Sequence, residues 1–498
     1  MKVIIVGGGS AGWMTATTLL TAKPDWDISL IESKNISTVG VGESTLEHIT
    51  NWCHYVGIDE KDFIRETDGT FKLSIKFTDF YKKGESFHYP FGQVDLLDNF
   101  NGVNDWWFKK FLYKNTPNSD YADCMFPKQM AYVNENKFDE ECSRAYHFDA
   151  TKFALWLKEK KCQKIKHIIE DVETIEQDEN GIKSLNNKHT ADLFIDCTGF
   201  NSLLLDKILK EPFESYYAEM LPNNSAWATK LPYTDKKKQL ETYTNCTAYN
   251  NGWIWNIPLW SRIGTGYVYS DKFISDENAL EEFKQYLGRD DLEFKKIKMR
   301  IGIHKRLWVK NVVAIGLSAG FIEPLESNGL WTVHQFLMNL VRNIQRDKIS
   351  QWDKDNFTFM CKADYHNFAE FVGIHYALSH RTDTEYWRNN FNKQWDKKLL
   401  EIKPRYLGNF RLLAESRYHD FTYNPQGGTH CIAAGMNFGP TDLDTIKYSI
   451  KDNYNNFKIT WLNAIKNLNR KKEKAELAVY HKPTLYKYLK NNIYKDDA

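Results

Sequence analysis

Residues 2–32 read KVIIVGGGSAGWMTATTLLTAKPDWDISLIE, and this stretch decides the fold. Val3 to Val6 form a β-branched run suited to a strand buried on both faces. Gly7, Gly9 and Gly12 follow in G-x-G-x-x-G spacing. Apolar residues then recur at helical intervals from Trp13 to Ala22, and Pro24 helps stop the helix. Asp27 to Glu32 reads as a second strand ending in a carboxylate. Strand, glycine turn, helix, strand and acid make a complete βαβ unit. Gly7 permits the tight turn, Gly9 lets backbone N–H groups, with those of Ser10 and Ala11, approach a pyrophosphate, and Gly12 lets helix and strand pack closely. Glu32, 20 residues beyond Gly12, is placed to accept hydrogen bonds from an adenosine ribose.

Working outward, Leu193 to Gly199 gives a second strand-and-turn signal centred on Asp196. Asn311 to Gly316 gives a third, and Gly316 joins the cofactor-binding set. The glycine motif alone does not separate FAD from NAD; the distant signal at Asp196 and Gly199 and the place of the βαβ unit at the start of the chain favour FAD. The stretch between the second and third signals alternates Tyr, Thr and Trp, which suits antiparallel strands. A loop at 321–329 leads into a helical pattern through Leu340, and the chain after Ser350 reads as mainly helical. The expected fold is α/β: a Rossmann-like FAD-binding module of the flavin-monooxygenase kind over 1–345, with an inserted antiparallel sheet and substrate-pocket segments, then a mainly helical substrate module over 346–498.

Composition narrows the function. Lys plus Arg number 66 against 65 Asp plus Glu, a net charge of +1, which argues against a general nucleic-acid binder. No apolar run approaches the ~20 residues of a membrane span, and no secretory signal opens the chain. The 8 cysteines are scattered without a C-x-x-C pair, as expected of reduced thiols in a cytoplasmic protein. His375 and His380 are spaced wrongly for one helix face, so no catalytic metal is expected. Trp253 and Trp255, two apart on a strand, share one face and suit either core packing or a wall beside a flat cofactor.

Several motifs together resemble the flavin-dependent halogenases of the tryptophan halogenase family. They are Gly7 to Gly12 followed by Trp13, the W-x-W-x-I-P of Trp253, Trp255, Ile257 and Pro258, and Glu323-Pro324-Leu325-Glu326-Ser327. Similar too are segment 39–45, Ile75-Lys76-Phe77, His147-Phe148-Asp149-Ala150, segment 264–270, and His375-Tyr376 with Arg381, Asp383, Thr384 and Trp387, so the likeness runs to about Pro440. It implies that FAD arrives as FADH2 from a separate flavin reductase and that, with O2 and a halide ion, it yields hypohalous acid. That acid crosses a tunnel to a separate small aromatic substrate, while Trp253 and Trp255 wall the flavin site. The resemblance names Lys76 and Glu326 as catalytic residues: a lysine to orient or carry the halogen, a carboxylate to stabilise the arenium cation and take its proton. Ser327 is implied as a supporting residue on the substrate side.

Two departures from the family pattern stand out. The family's halide site uses a Thr-Gly pair; here it reads Asn328-Gly329, whose backbone N–H groups still suit an anion nest. A larger, softer halide, bromide or iodide, is then expected to be preferred over chloride. Tyr89 replaces the family's histidine two positions before Phe91, and Thr429-His430 replaces an aromatic pair before Cys431. An electron-rich indole, phenol or pyrrole is therefore expected instead of free tryptophan, with Tyr89 and Phe91 lining its pocket. A flavin monooxygenase hydroxylating an aromatic substrate, or an FAD-stabilised binding protein, are the competing readings, separated by halide-dependent product. The oligomeric state is left open, with a homodimer among the choices.

Overall fold

Lys2–Val6 lies inside a six-stranded sheet, in the order Trp308–Val309, Val312–Ala314, Leu193–Asp196, Lys2–Val6, Asp27–Glu32, Lys166–Ile169. Every pairing from Val312–Ala314 to Lys166–Ile169 is parallel, and only Trp308–Val309 runs antiparallel at one edge. A computed structural model describes residues 1–35, 42–95, 104–346, 348–393, 428–439 and 457–495. Val39 to Val41 and Pro440, which carry part of the family likeness, lie outside these residues. The helix Ser10–Ala22 packs between Ala150–Lys161 and Gly329–Asn343, which explains why Val3 to Val6 are apolar throughout.

A second, seven-stranded sheet runs Lys295–Lys298, Ser225–Leu231, Ile263–Tyr269, Gly252–Pro258, Tyr243–Tyr249, Ser74–Thr78, Ser86–Pro90. It is antiparallel except where Tyr243–Tyr249 meets Ser74–Thr78. One crossing of the chain matters for the site. Thr70–Lys72 pairs with Ala145–Phe148 in a small third sheet, and Ser74–Thr78 belongs to the large one. The backbone changes sheets at Leu73.

Beyond residue 345 the described residues are mainly helical: Gln351–Ala377, Glu385–Asn392, Gly428–Gly435, Phe457–Val479 and Leu485–Leu489. Gln351–Ala377 begins with a capping box of Ser350 and Asp353 and lies against Gly329–Asn343. One apolar cluster runs from Val3 through Trp253 and Phe371 to Leu489, so residues on both sides of position 345 share it. Among the described residues, no helix is long and apolar enough to cross a membrane.

Glycine makes room for the double tryptophan. Gly266 is the cross-strand partner of Trp255, and a Cβ at Gly266 would lie 2.2 Å from the indole and 2.6 Å from the Trp227 carbonyl. Gly266→Ala is therefore expected to cost about 1–3 kcal/mol by overpacking. The checks are a lowered thermal midpoint and a changed tryptophan emission.

Candidate active site

A cavity of about 820 Å³ opens where Lys2–Val6 ends. Its floor is the glycine turn, which the neighbouring backbone requires to be glycine. Gly7 has φ +115°, and a Cβ there would lie 2.2 Å from the Cys197 carbonyl oxygen. A Cβ on Gly12 would lie 1.9 Å from the Gly7 carbonyl oxygen. Gly9 differs: its Cβ would meet nothing within 4 Å, so its missing side chain leaves space in the cavity itself. Ser10, Ala11 and Gly316 also line this space, as does Glu32, whose Oε1 lies 2.6 Å from His167 Nε2. A long ligand with a phosphate group over the helix start and a ribose at Glu32 fits these walls.

Trp253 and Trp255 form the opposite wall, with ring centroids 6.1 Å apart. Both indoles are buried, and among the described residues neither N–H has a hydrogen-bond partner. Two thiols, Cys197 and Cys246, line the same cavity; burial pushes the first up to about 12 and the second higher still.

The loop at 323–329 separates this cavity from a second one. Ser327 has φ 58° and ψ 34°, a left-handed residue between the turn Pro324–Glu326 and the helix Gly329–Asn343. The reversal sends neighbouring residues to opposite sides. Ser327 and Gly329 face the large cavity; Glu326 faces a small one of about 30 Å³ lined by Tyr89, Phe91, Trp331, Phe368 and Phe371. Leu46, Glu47, His48, Pro90 and Gly92 complete that lining.

Lys72 sits at the partition, fully buried. Its ammonium donates to the Thr45 carbonyl at 2.9 Å and to Ser327 Oγ at 2.8 Å, and lies 5.1 Å from the Phe91 ring centre. Burial pulls this amine down to about 7, while Cys246 and Glu326 act in the opposite direction. From Ser327 a chain of buried groups continues. The Ser327 hydroxyl donates to Ser44 at 3.0 Å, and Ser44 lies 2.6 Å from Thr244. Thr244 lies 2.8 Å from His147 Nε2, His147 Nδ1 lies 3.1 Å from Thr70, and Thr70 donates to the Pro258 carbonyl at 2.6 Å. With a pure donor at Lys72 and a pure acceptor at Pro258, every hydroxyl between them has one consistent direction. It requires a neutral imidazole protonated on Nδ1, and burial holds His147 well below its usual range.

Glu326 is paired from the other side. His375 Nε2 lies 2.8 Å from its Oε1, and both side chains are completely buried. Burial raises the Glu326 carboxyl, and His375 and then Lys72 draw it back. The contact is close but poorly aligned, so both carboxylate oxygens lack a directed hydrogen bond among the described residues.

The tryptophan halogenase family model matches residues 2–445. The chain belongs to the tryptophan halogenase family. It is 34% identical over 443 residues to the tryptophan 6-halogenase SttH of Streptomyces toxytricini, covering 81% of this chain and 83% of that protein. Identity to the tryptophan 7-halogenase RebH of Lentzea aerocolonigenes is 33% over 480 residues, covering 88% and 90%. The solved apo structure of VirX1 superposes with a TM-score of 0.86 at 34% identity, covering 99% of each chain. This chain is thus a flavin-dependent halogenase, an oxidoreductase that uses FADH2, O2 and halide. Such halogenases take reduced flavin from a separate reductase and act on small aromatic substrates.

Within this halogenase most of the residues singled out in the sequence line the two cavities, while Ser327, Lys76 and the Asn328 side chain lie elsewhere than expected. Gly7, Gly9, Ser10, Ala11, Glu32, Gly316, Trp253 and Trp255 line the large cavity, and Gly12 packs beneath it. Tyr89, Phe91 and Glu326 meet at the small one. Ser327, expected on the substrate side, faces the large cavity. Lys76 lines neither cavity: it is half-buried between His88 and Asn245, its ammonium 5.6 Å from the Tyr243 ring centre. The lysine at the partition is Lys72, four positions earlier. Alternation along one continuous strand would have placed Lys72, Ser74 and Lys76 on one face, but the change of sheet at Leu73 breaks that register. The Asn328 side chain turns away from the cavity, its amide donating to the Ile322 carbonyl at 3.3 Å, whereas Gly329 lines it. Ser44, Thr244 and His147 supply the buried chain, and no spacing in the sequence joins them. Among the described residues, no group of three His, Cys, Asp or Glu is arranged to hold a metal.

Gly9→Val tests the cofactor floor. Its side chain meets no protein atom, so thermal stability should stay close to the parent while FAD affinity, read by flavin fluorescence titration, falls by about two decades or more.

Proposed function

We propose that Lys72 and Glu326 transfer halogen from hypohalous acid to a small electron-rich ring held between Tyr89 and Phe91. One observation carries this reading: the buried lysine, bonded to Ser327 on a dinucleotide-sized cavity, and the buried carboxylate, on an aromatic one, stand at the partition between the two. Bound at the glycine turn, Glu32 and Gly316, reduced FAD with O2 supplies the oxidising power that turns halide into hypohalous acid. The protein's residues do the rest. The Asn328 and Gly329 N–H groups begin a 15-residue helix at the cavity, where the helix dipole favours an anion. Trp253 and Trp255 close the flavin side against a ring-sized substrate. Lys72 donates two N–H groups to Thr45 and Ser327, which leaves its third to orient hypohalous acid toward the Phe91 side. Glu326 stabilises the arenium cation and takes its proton.

The lining of the small cavity supports an indole without an amino-acid group, a phenol or a pyrrole over free tryptophan. Its polar groups are Glu47, His48, Tyr89 and Glu326, and no Arg or Lys among the described residues lines it to meet a carboxylate. At about 30 Å³ the aromatic walls must part to admit a ring. Bromide and iodide shed less hydration free energy than chloride on entering a site whose donors are backbone N–H groups, and we expect them to be preferred. A panel of indoles, phenols and free tryptophan under mixed chloride, bromide and iodide, read by mass spectrometry, tests both points. Fastest turnover of free tryptophan, or a chlorinated product in excess, would overturn them.

The sharper prediction separates the two lysines. Lys72→Ala should bind FAD yet lose halogenated product by two decades or more, about 2.7 kcal/mol of transition-state stabilisation. Lys76→Ala should halogenate within about threefold of the parent, as expected of a side chain remote from the reacting atoms. Parallel product quantification decides between them, and the reverse result would return the role to Lys76.

A further inference from the structure

His375 has no role in the scheme so far, yet it is the nearest ionisable group to Glu326. Its Nδ1 lies 3.2 Å from the carbonyl oxygens of both Phe371 and Val372 on its own helix, Gln351–Ala377. A bare ring nitrogen facing two carbonyls would repel them, so Nδ1 carries a proton. Nε2 then lies 2.8 Å from a carboxyl oxygen with all solvent excluded. Two lone pairs at that distance repel as well, so one of the two atoms carries a proton. The rings of Phe77, Phe80 and Phe371 surround the imidazole and hold it in place.

Resting on the assignment of Glu326 above, we propose that His375 is the positioning residue that keeps Glu326 ionised, so that Glu326 can accept the proton released by the halogenated ring. In the step, the ring carbon that has gained halogen breaks its C–H bond. The electron pair returns to the ring, and the proton goes to a Glu326 oxygen. The pair then carries one proton more than at rest, and the ring has lost the matching positive charge, so no net charge is created inside the protein. This matters because the site offers few other cations. The groups facing Glu326 are Lys72 from Thr70–Lys72, Tyr89 from Ser86–Pro90, Cys246 from Tyr243–Tyr249 and Cys431 from Gly428–Gly435, with Glu47 and His48 on the lining of the same small cavity. Burial keeps the phenol and both thiols uncharged. Burial also pulls the His48 imidazole down, so His375 and Lys72 are the cations left to offset the carboxylate among the described residues facing it, and Lys72 is committed to Thr45 and Ser327.

His375→Gln keeps a side-chain N–H near the position of Nε2 and removes the ability to hold a second proton. Without the imidazolium, the buried carboxyl ionises only at higher pH. The variant should therefore retain FAD affinity, fall about tenfold or more below the parent in single-turnover halogenation near neutral pH, and close that gap to the parent, measured at the same pH, as pH rises. With substrate deuterated at the carbon that is halogenated, it should also show a primary isotope effect that the parent lacks, because proton removal has become slow. A parent-like rate and pH profile, or a loss that is equal at every pH and insensitive to deuterium, would overturn the proposal and leave His375 a packing residue. A second measurement needs no altered fold. Side-chain 15N shifts in the parent should report a proton on or shared with His375 Nε2, and a bare Nε2 overturns the proposal. Glu326→Gln separates the two readings: parent-like halogenation in that variant would remove the role of Glu326 itself.

Discussion

The left-handed conformation of Ser327 governs the whole site. A side-chain-bearing residue pays about 1–2 kcal/mol for it, and it persists only where its surroundings over-determine it. Here they do. The Ser327 N–H donates to the Pro324 carbonyl, its hydroxyl donates to Ser44, and it accepts from Lys72. From that one reversal follow the carboxylate in the small aromatic cavity, the hydroxyl at the large one, and the helix Gly329–Asn343 beginning at the large cavity.

The cation at the partition would be costly by itself. Removing an ammonium from water costs several kcal/mol unless its donors and charge are met. Lys72 is met by a carbonyl, a hydroxyl and an aromatic face, and it still loses its proton more easily than a lysine in water. The hydroxyl chain behind Ser327 ends on the Pro258 carbonyl, the last residue of the double-tryptophan motif. A carbonyl of this kind takes a hydrogen bond and does not release a proton, so the chain fixes orientation and conducts nothing. Lys72 must exchange its proton from the substrate side.

The two halves of the structure differed in how far the sequence revealed them. The βαβ unit is written in contiguous residues whose periodicity and glycines follow from local sterics, and the strand Asp27–Glu32 ends at its acid as read. The partition is assembled from segments far apart in the chain. Lys72 and Lys76 look alike in sequence because alternation assumes one sheet, and nothing local marks the change at Leu73. His375 sits on a long helix, and nothing local in its sequence shows that Glu326 would stand opposite it. Tyr89 and Phe91 were legible because they flank a single strand end. Asn328 drew attention as a changed side chain, while the cavity presents the backbone that follows it.

Cys197 and Cys246 line the large cavity, the chamber in which the proposed function has a strong oxidant made. Thiolates react with such species far faster than thiols do, and a first oxidation to sulfenic acid opens the way to irreversible products. Both thiols are held in protonated form by burial, and Cys246 also donates its S–H to the Leu325 carbonyl at 3.6 Å. The dry wall that serves the flavin therefore also sets the working lifetime of the catalyst. How many turnovers one molecule completes before it damages itself depends on keeping water, and with it ionisation, away from these two sulfur atoms.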